Sequence, residues 1–259
     1  MQVIGVGQIN VWPGGSLWIG EARASTAVHA HHALQISLAF RGVIRLRSPR
    51  GHWQEYGAAL VPPHVEHAFD ASGSLVANVF CEPESATGRK LVQRYGADSI
   101  AVIAEADVAG ARVRLREAYA ASARDEILND AAQNVVHVLA DHVPSFRATD
   151  PRIVKAVDAV SRRLDRPIAL AEIAAAAHLS PSRFRHLFVA ETGLPFRRYV
   201  LWQRLQRALQ SALAGGSWAE AAHTASFADA AHLARTFRRM FGIAPSTLGD
   251  RSGPRKGVL

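Results

Sequence analysis

Six of the twelve histidines in this 259-residue chain fall between positions 29 and 67, as His29, His31, His32, His52, His64 and His67. Imidazole carries a ligating lone pair near neutral pH and is the commonest side-chain metal ligand. In an extended segment, residues two apart face the same side. His29 and His31 can therefore converge on one ligand, with Gln35 further along that face. No catalytic set is expected, because the chain has no nucleophile-elbow, P-loop or dinucleotide-binding spacing. Glu66, beside His67, is the single carboxylate placed for acid-base work, and an exposed loop residue is its simpler role.

A second chemistry sits in AAAAHLSPSRFRHLFVAETG, residues 174–193, where four alanines precede a segment both basic and aromatic. The charge around it is one-sided. Residues 151–259 hold 17 Lys/Arg against 7 Asp/Glu, about +10, whereas residues 1–150 hold 13 against 15, about −2. A basic surplus confined to one half is the electrostatic footprint of a polyanion binder, since Lys and Arg displace counterions condensed on phosphates. A merely solubilising surplus is the competing reading.

The elements that must position these residues change character along the chain. SLWIGEA, ALQISLAF, GVIRLRS, GAALVPP and SLVANVF are short apolar or alternating runs broken by Gly, Pro and Ser, so residues 1–82 read as an all-β unit. From Pro83 to residue 148 the pattern turns helical, with SATGRKLVQRY, VAGARVRLREAYAA and DEILNDAAQNVVHVLADHV. In the last of these, Ile127, Ala131, Val135 and Val138 form an apolar stripe suited to a dimer contact or to packing against the β unit. Asp150 then caps a helix that has Pro151 at its first position. The expected fold class is α+β in two domains, 1–148 and 149–259. The lone Cys81 fits a reducing compartment and suggests no reactive role. Neither a signal peptide nor a charge-free run of about 18 apolar residues occurs, so a cytoplasmic protein without membrane attachment is expected.

The second domain repeats itself with a period of about 48 residues. Ala171-Glu172-Ile173-Ala174 recurs as Ala219-Glu220-Ala221-Ala222, Leu179 as Phe227, Phe188 as Phe237 and Gly193 as Gly242. Each copy has a short Ala-rich helix, a tight turn and a second helix that starts at a capping residue, Ser180 followed by Pro181 in the first copy and Asp229 in the second. Ala174 and Ala177 leave room for two helices to cross closely. On the second helix, Phe184, Leu187 and Phe188 share one face while Ser182, Arg185 and His186 share the opposite one. Arg185 can donate two hydrogen bonds to guanine, His186 can donate or accept, and Arg183 with Ser180 can hold phosphate. In the second copy Leu233, Phe237 and Phe241 pack. That leaves Ala231, His232, Ala234, Arg235 and Arg238 to meet double-stranded DNA, mostly through thymine methyls and the backbone. The joining helix, Phe196 to Leu213, spans about 27 Å at 1.5 Å per residue, short of the roughly 34 Å between successive major-groove faces. Engagement of both grooves then calls for DNA bending.

With SPSRFRHLFVAETGLPFRRYV, the connecting QRLQRALQSAL and SFADAAHLARTFRRMFGIAPSTL in place, residues 153–248 resemble the DNA-binding domain of the AraC/XylS family of transcription regulators. The resemblance implies a double helix-turn-helix domain, with RNA polymerase as a further partner if the protein is an activator; a homodimer is expected if the stripe of Ile127, Ala131, Val135 and Val138 is a dimer contact. His178 and Ser226 stand at turn positions where that family usually has Gly, and His186 where Arg is common. Upstream, His29-x-His31-x3-Gln35-x6-Gly42 resembles the first motif of the cupin barrel, with Gln for its usual Glu. Gly57-x4-Pro62 to His67 is similar to the second motif, with His64 for its Gly. Barrels of this regulator family usually bind small organic molecules without a metal. The expected small-molecule effector set is His29, His31, Gln35, His64 and His67. If one divalent ion is held, Zn, Ni, Fe or Mn, its ligands are His29, His31, Gln35 and His67. The main expectation is a sequence-specific regulator controlled by an effector in the N-terminal barrel, and not an enzyme. The alternative is a cupin metalloenzyme with a basic helical accessory domain, which would bind duplex DNA weakly and without regard to sequence.

Overall fold

The computed structural model describes residues 5–248. The ends of the expected domains, residues 1–4 and 249–259, lie outside the described residues. The chain forms two compact units, residues 5–146 with 237–248, and residues 147–236. The boundary at 146/147 falls close to the expected 148/149. At the other end the grouping differs from a second domain running unbroken from 149. Phe237 and Phe241 stack against Trp18 with ring centroids 6.2 and 4.9 Å away, which draws the last described residues into the first unit.

The first unit is built on antiparallel strands: β1 Gly5–Trp12, β2 Gly15–Ala22, β3 Leu34–Arg41, β4 Ile44–Arg47, β5 Gln54–Tyr56, β6 Ala58–Val61, β7 Ala68–Asp70, β8 Leu75–Cys81 and β9 Ala101–Val102. They form a six-stranded sheet in the order β1-β2-β8-β3-β6-β9 and a three-stranded sheet β5-β4-β7. All five expected strand runs are present. Strand β1 is an addition, because Gly5 and Gly7 break its alternation. Those glycines are what the ladder needs: Gly7 pairs with Gly20, and a Cβ on Gly7 would lie 2.0 Å from the Ile19 carbonyl oxygen. Strand β9 pairs with β6 inside a stretch expected to be helical, and two residues carry no readable period.

Side-chain alternation sorts the large sheet into two faces. Leu17, Ile19, Leu34, Ile36, Leu38, Ala77 and Val79 point to one side, where they pack with helices α1 (Ala86–Tyr95), α2 (Glu105–Ala120) and α3 (Asp125–Ala140). The interleaved residues Trp18, Gln35, Ser37, Asn78 and Phe80 point to the other. Helix α3 buries Leu128, Ala132, Val135, Val136 and Leu139, and leaves Ile127 47% exposed. The stripe expected from the sequence is thus rotated by about one residue. Packing within the unit accounts for the apolar face of α3, which lends no support to a dimer contact.

The second unit holds α4 (Pro151–Ser161), α5 (Leu170–Ala176), α6 (Pro181–Thr192), α7 (Phe196–Leu213), α8 (Trp218–Thr224) and the start of α9 (Ala230–Phe241), which a 3-10 turn, Pro245–Leu248, follows. The expected starts are present: the Asp150 side chain accepts from Arg152 N, and Ser180 Oγ accepts from Arg183 N. Ala174 and Ala177 are fully buried beside Phe184 and Phe188. Phe184, Phe188, Phe196 and Tyr199 meet mostly edge-to-face at centroid distances of 5.2–5.5 Å. Each such buried side chain contributes on the order of 1.5–3 kcal/mol.

His178 and Ser226, the two positions where glycine is usual, both have φ of 54°. A Cβ in the left-handed region is strained by about 1 kcal/mol. His178→Gly and Ser226→Gly are each expected to raise the free energy of unfolding by about 0.5–1 kcal/mol, net of the glycine's added unfolded-state entropy. Urea denaturation reads this directly, and an unchanged or lowered midpoint for both variants contradicts it.

Candidate effector pocket and nucleic-acid interface

Residues 26–32 and 62–69 run alongside each other in the first unit. His29 and His67 exchange both backbone hydrogen bonds at 2.9 Å, so their side chains emerge together, with ring centroids 4.3 Å apart. His31, two residues on, brings its ring to 5.1 Å from His67 and 5.7 Å from His29. All three are buried, and one ring nitrogen of each lies within 4.8 Å of those of the other two. Gln35 Oε1 is 2.9 Å from His31 Nε2. The expected metal set therefore comes together.

His64 departs from the expected effector set. It occupies the place of a motif glycine with φ of 64°, and its Nε2 lies 3.5 Å from Nδ1 of His32 rather than with the three. His32, which sequence reasoning left out, is buried and pairs with Glu84 at 2.9 Å. Fifty-two positions separate the two, and only the fold joins them. Glu66 is exposed, in keeping with a loop role. Burial pushes the Cys81 thiol up to about 11, so it stays protonated near neutral pH.

Beside the histidines the unit has a half-open pocket of about 140 Å³. Trp18, Phe69, Val76 and Phe80 give it an apolar wall, while His29, Gln35 and Asn78 supply polar groups. This combination of an apolar body and a few convergent polar atoms is that of a small-molecule site. Ser37 Oγ donates to Asn78 Oδ1 at 2.7 Å, and Gln35 Nε2 donates to Ser37 Oγ at 2.9 Å, so the polar end is a connected network.

Burial, reinforced by the neighbouring imidazoles, lowers His29 to about 4 and His31 and His67 to about 3 from the usual 6.5. All three are neutral at pH 7. As pH falls below 6.5 the unfolded chain takes up protons that the folded one excludes. Stability is therefore full above about pH 6.5 and declines toward pH 4. Denaturation of chelator-treated protein across this range is expected to show that decline, flattened in a His31→Gln/His67→Gln variant. Identical pH profiles contradict it.

In the second unit, α6 carries Ser182, Arg183, Arg185 and His186 exposed on the face opposite the buried Phe184 and Phe188, with Ser180 exposed at its start. On α9, Ala231, Arg235 and Arg238 are exposed and His232 and Ala234 half-buried. The His232 ring rests edge-on against Phe227 at 5.2 Å, and its backbone N–H donates to Asp229 Oδ1. That confirms Asp229 as the cap and makes His232 partly a packing residue. Sequence reasoning missed two braces. Arg204 on α7 donates to the carbonyl oxygens of Ser226 and Arg166, tying one of the turns to the loop between α4 and α5. The buried Glu191 on α6 pairs with Arg147 and accepts from Asp150 N, anchoring α6 to the start of the unit.

Residues 173–251 match the family model described as a helix-turn-helix domain. Three curated relatives align over this part. The probable transcriptional regulator LumQ of Photobacterium leiognathi is 30% identical over 34% of this chain and 36% of its own length. The uncharacterized HTH-type transcriptional regulator YidL of Escherichia coli K12 is 33% identical over 38% of this chain and 33% of its own length. The transcriptional activator RhrA of Rhizobium meliloti is 35% identical over 31% of this chain and 26% of its own length. The match thus spans about a third of the curated relatives' length. Structures of ToxT from Vibrio cholerae resemble 90% of this chain and 95% of theirs with a TM-score of 0.59 at 13% identity, a likeness of fold. The C-terminal part is a helix-turn-helix DNA-binding domain. It follows a β domain, and the chain as a whole shares its fold with ToxT.

Proposed function

We propose that this chain is a sequence-specific transcriptional regulator that binds double-stranded DNA through α6 and α9 and a small effector through its N-terminal β domain. The exposed Ser182, Arg183, Arg185 and His186 on a helix seated by Phe184 and Phe188 carry this reading. A helix so seated presents a rigid row of donors, and its capping Ser180 leaves the N-terminal end free to meet phosphate.

The effector is a compact molecule with an apolar body, because the cavity walls are aromatic and aliphatic and its polar groups gather at Gln35, Asn78 and His29. ToxT, which shares the fold, has been solved with an unsaturated fatty acid and with (E)-4-(8-methylnaphthalen-1-yl)but-3-enoic acid, ligands that join an apolar body to a polar end. Binding regulates only through different affinities for two arrangements of the protein. We extend the proposal to a homodimer and, should the protein activate, to RNA polymerase as a partner. We assign it no enzymatic reaction, in line with relatives that are regulators. No helix among the described residues is long and apolar enough to cross a membrane.

Mobility-shift titrations on a selected site test the DNA reading. Arg185→Ala is expected to weaken binding by about 1–3 kcal/mol and to relax preference at one base pair. Arg183→Ala is expected to weaken all sequences alike and to lower the salt dependence by about one phosphate contact. If both variants bind like the parent, this helix face is not the DNA interface.

A further inference from the structure

We propose that Arg204 is a positioning residue that fixes α6 relative to the start of α9, and so sets how many base pairs must separate the two DNA segments they read. The proposal rests on the DNA-binding reading above and adds to it a determinant outside both reading faces. Arg204 lies midway along α7, the helix that joins the two helix-turn-helix motifs. Its Nη1 donates to the Ser226 carbonyl oxygen at 3.2 Å and its Nη2 to the Arg166 carbonyl oxygen at 3.0 Å.

Each of those carbonyls belongs to the frame of a different reader. Arg166 stands in the loop ahead of α5, and its own side chain pairs with Glu172, in the first turn of α5, at 2.7 Å. Ala174 and Ala177 then pack with Phe184 and Phe188 of α6. Ser226 is the left-handed residue of the turn between α8 and α9. Its N–H and that of Phe227 bond back to His223 and Ala222 of α8, and Asp229 caps α9 three residues on. One guanidinium therefore connects the first reader's frame to the second reader's turn.

The rest of the seat of α7 is largely apolar. Tyr199 and Val200 pack with the first motif, and Trp202, Leu205, Ala208 and Leu209 are buried further along. Apolar burial has no preferred direction, whereas the planar guanidinium fork fixes both distance and angle. The charge is also held at a cost. Nε of Arg204 is buried without an acceptor, and burial pushes the guanidinium below the usual arginine range with no carboxylate to offset it. A cation held on two neutral carbonyls contributes little net stability compared with an apolar side chain of similar length. What it adds is direction.

Sites selected from random-sequence duplexes by the full-length chain, then retested with one base pair inserted or removed between their two segments, provide the test. The parent is expected to select one spacing and to lose about tenfold or more in affinity for either change, the order of a charged hydrogen bond. Arg204→Met and Arg204→Gln are expected to keep the sequence of each segment while that penalty falls below about threefold, with Arg204→Lys between. Sequence and spacing are separate readouts. A variant that is only less stable binds less of every duplex and keeps the parent's spacing. Circular dichroism reports folding, and Arg204→Lys, which retains charge and a donor, carries the comparison should the neutral variants fail to fold. Folded variants with the parent's spacing penalty overturn the proposal, as does a parent that selects a single segment or several spacings. Recovery of no shared motif by the parent defeats the DNA reading itself and this proposal with it, an outcome distinct from a shared motif whose spacing ignores Arg204.

Discussion

Strand β3 is covered on both faces, and the organisation of the first unit follows from that double burial. Leu34, Ile36 and Leu38 face the helices, where they form a dry contact with α2 and α3. Gln35 and Ser37, between them, have to be buried as well, and buried polar groups are tolerated only when bonded. They bond to one another, to Asn78 on the neighbouring β8 and to His31. One strand thus supplies the apolar seal against the helices and the polar end of the cavity. Shifting its register by a single residue would exchange the two faces and destroy both.

The second unit meets a different constraint. A reading helix must be rigid while half of its surface stays bare. Phe184 and Phe188 secure α6 from beneath, Ala174 and Ala177 let α5 approach, and Glu191 holds its far end. The outward residues are then free of structural duty, which is where a family can change its target without changing its fold. The half-buried His232 on α9 is an exception, since it braces the second turn through Phe227.

Much of this was legible in the sequence because it is local. Ser180 with Pro181, Asp150 with Pro151, the bounds of α7 and the alternation of β3 and β8 all depend on neighbours within a few positions. The glycine-replacing residues His64, His178 and Ser226 were legible by comparison with motifs, and all three have positive φ. What escaped depends on distant partners. Strand β1 was not among the expected runs, because its glycines answer the backbone of β2, not their own neighbours. The pairing of His32 with Glu84 and the reach of Arg204 to two loops have no local signature. Helix α3 misled by a fraction of a turn: Ile127 fits the 3.6-residue period as well as Leu128 does, and only the sheet decides between them.

The helical half presents an exposed basic face on α6, and the most direct measurement of its role is selection of genomic DNA fragments by the purified full-length chain, followed by footprinting of those recovered. Sequence-specific recognition predicts a recurring motif protected over adjacent major-groove segments, held against excess competitor DNA, and lost in part when Arg185 is replaced. Recovery of fragments without a shared motif, through binding that vanishes as salt is raised, would contradict it.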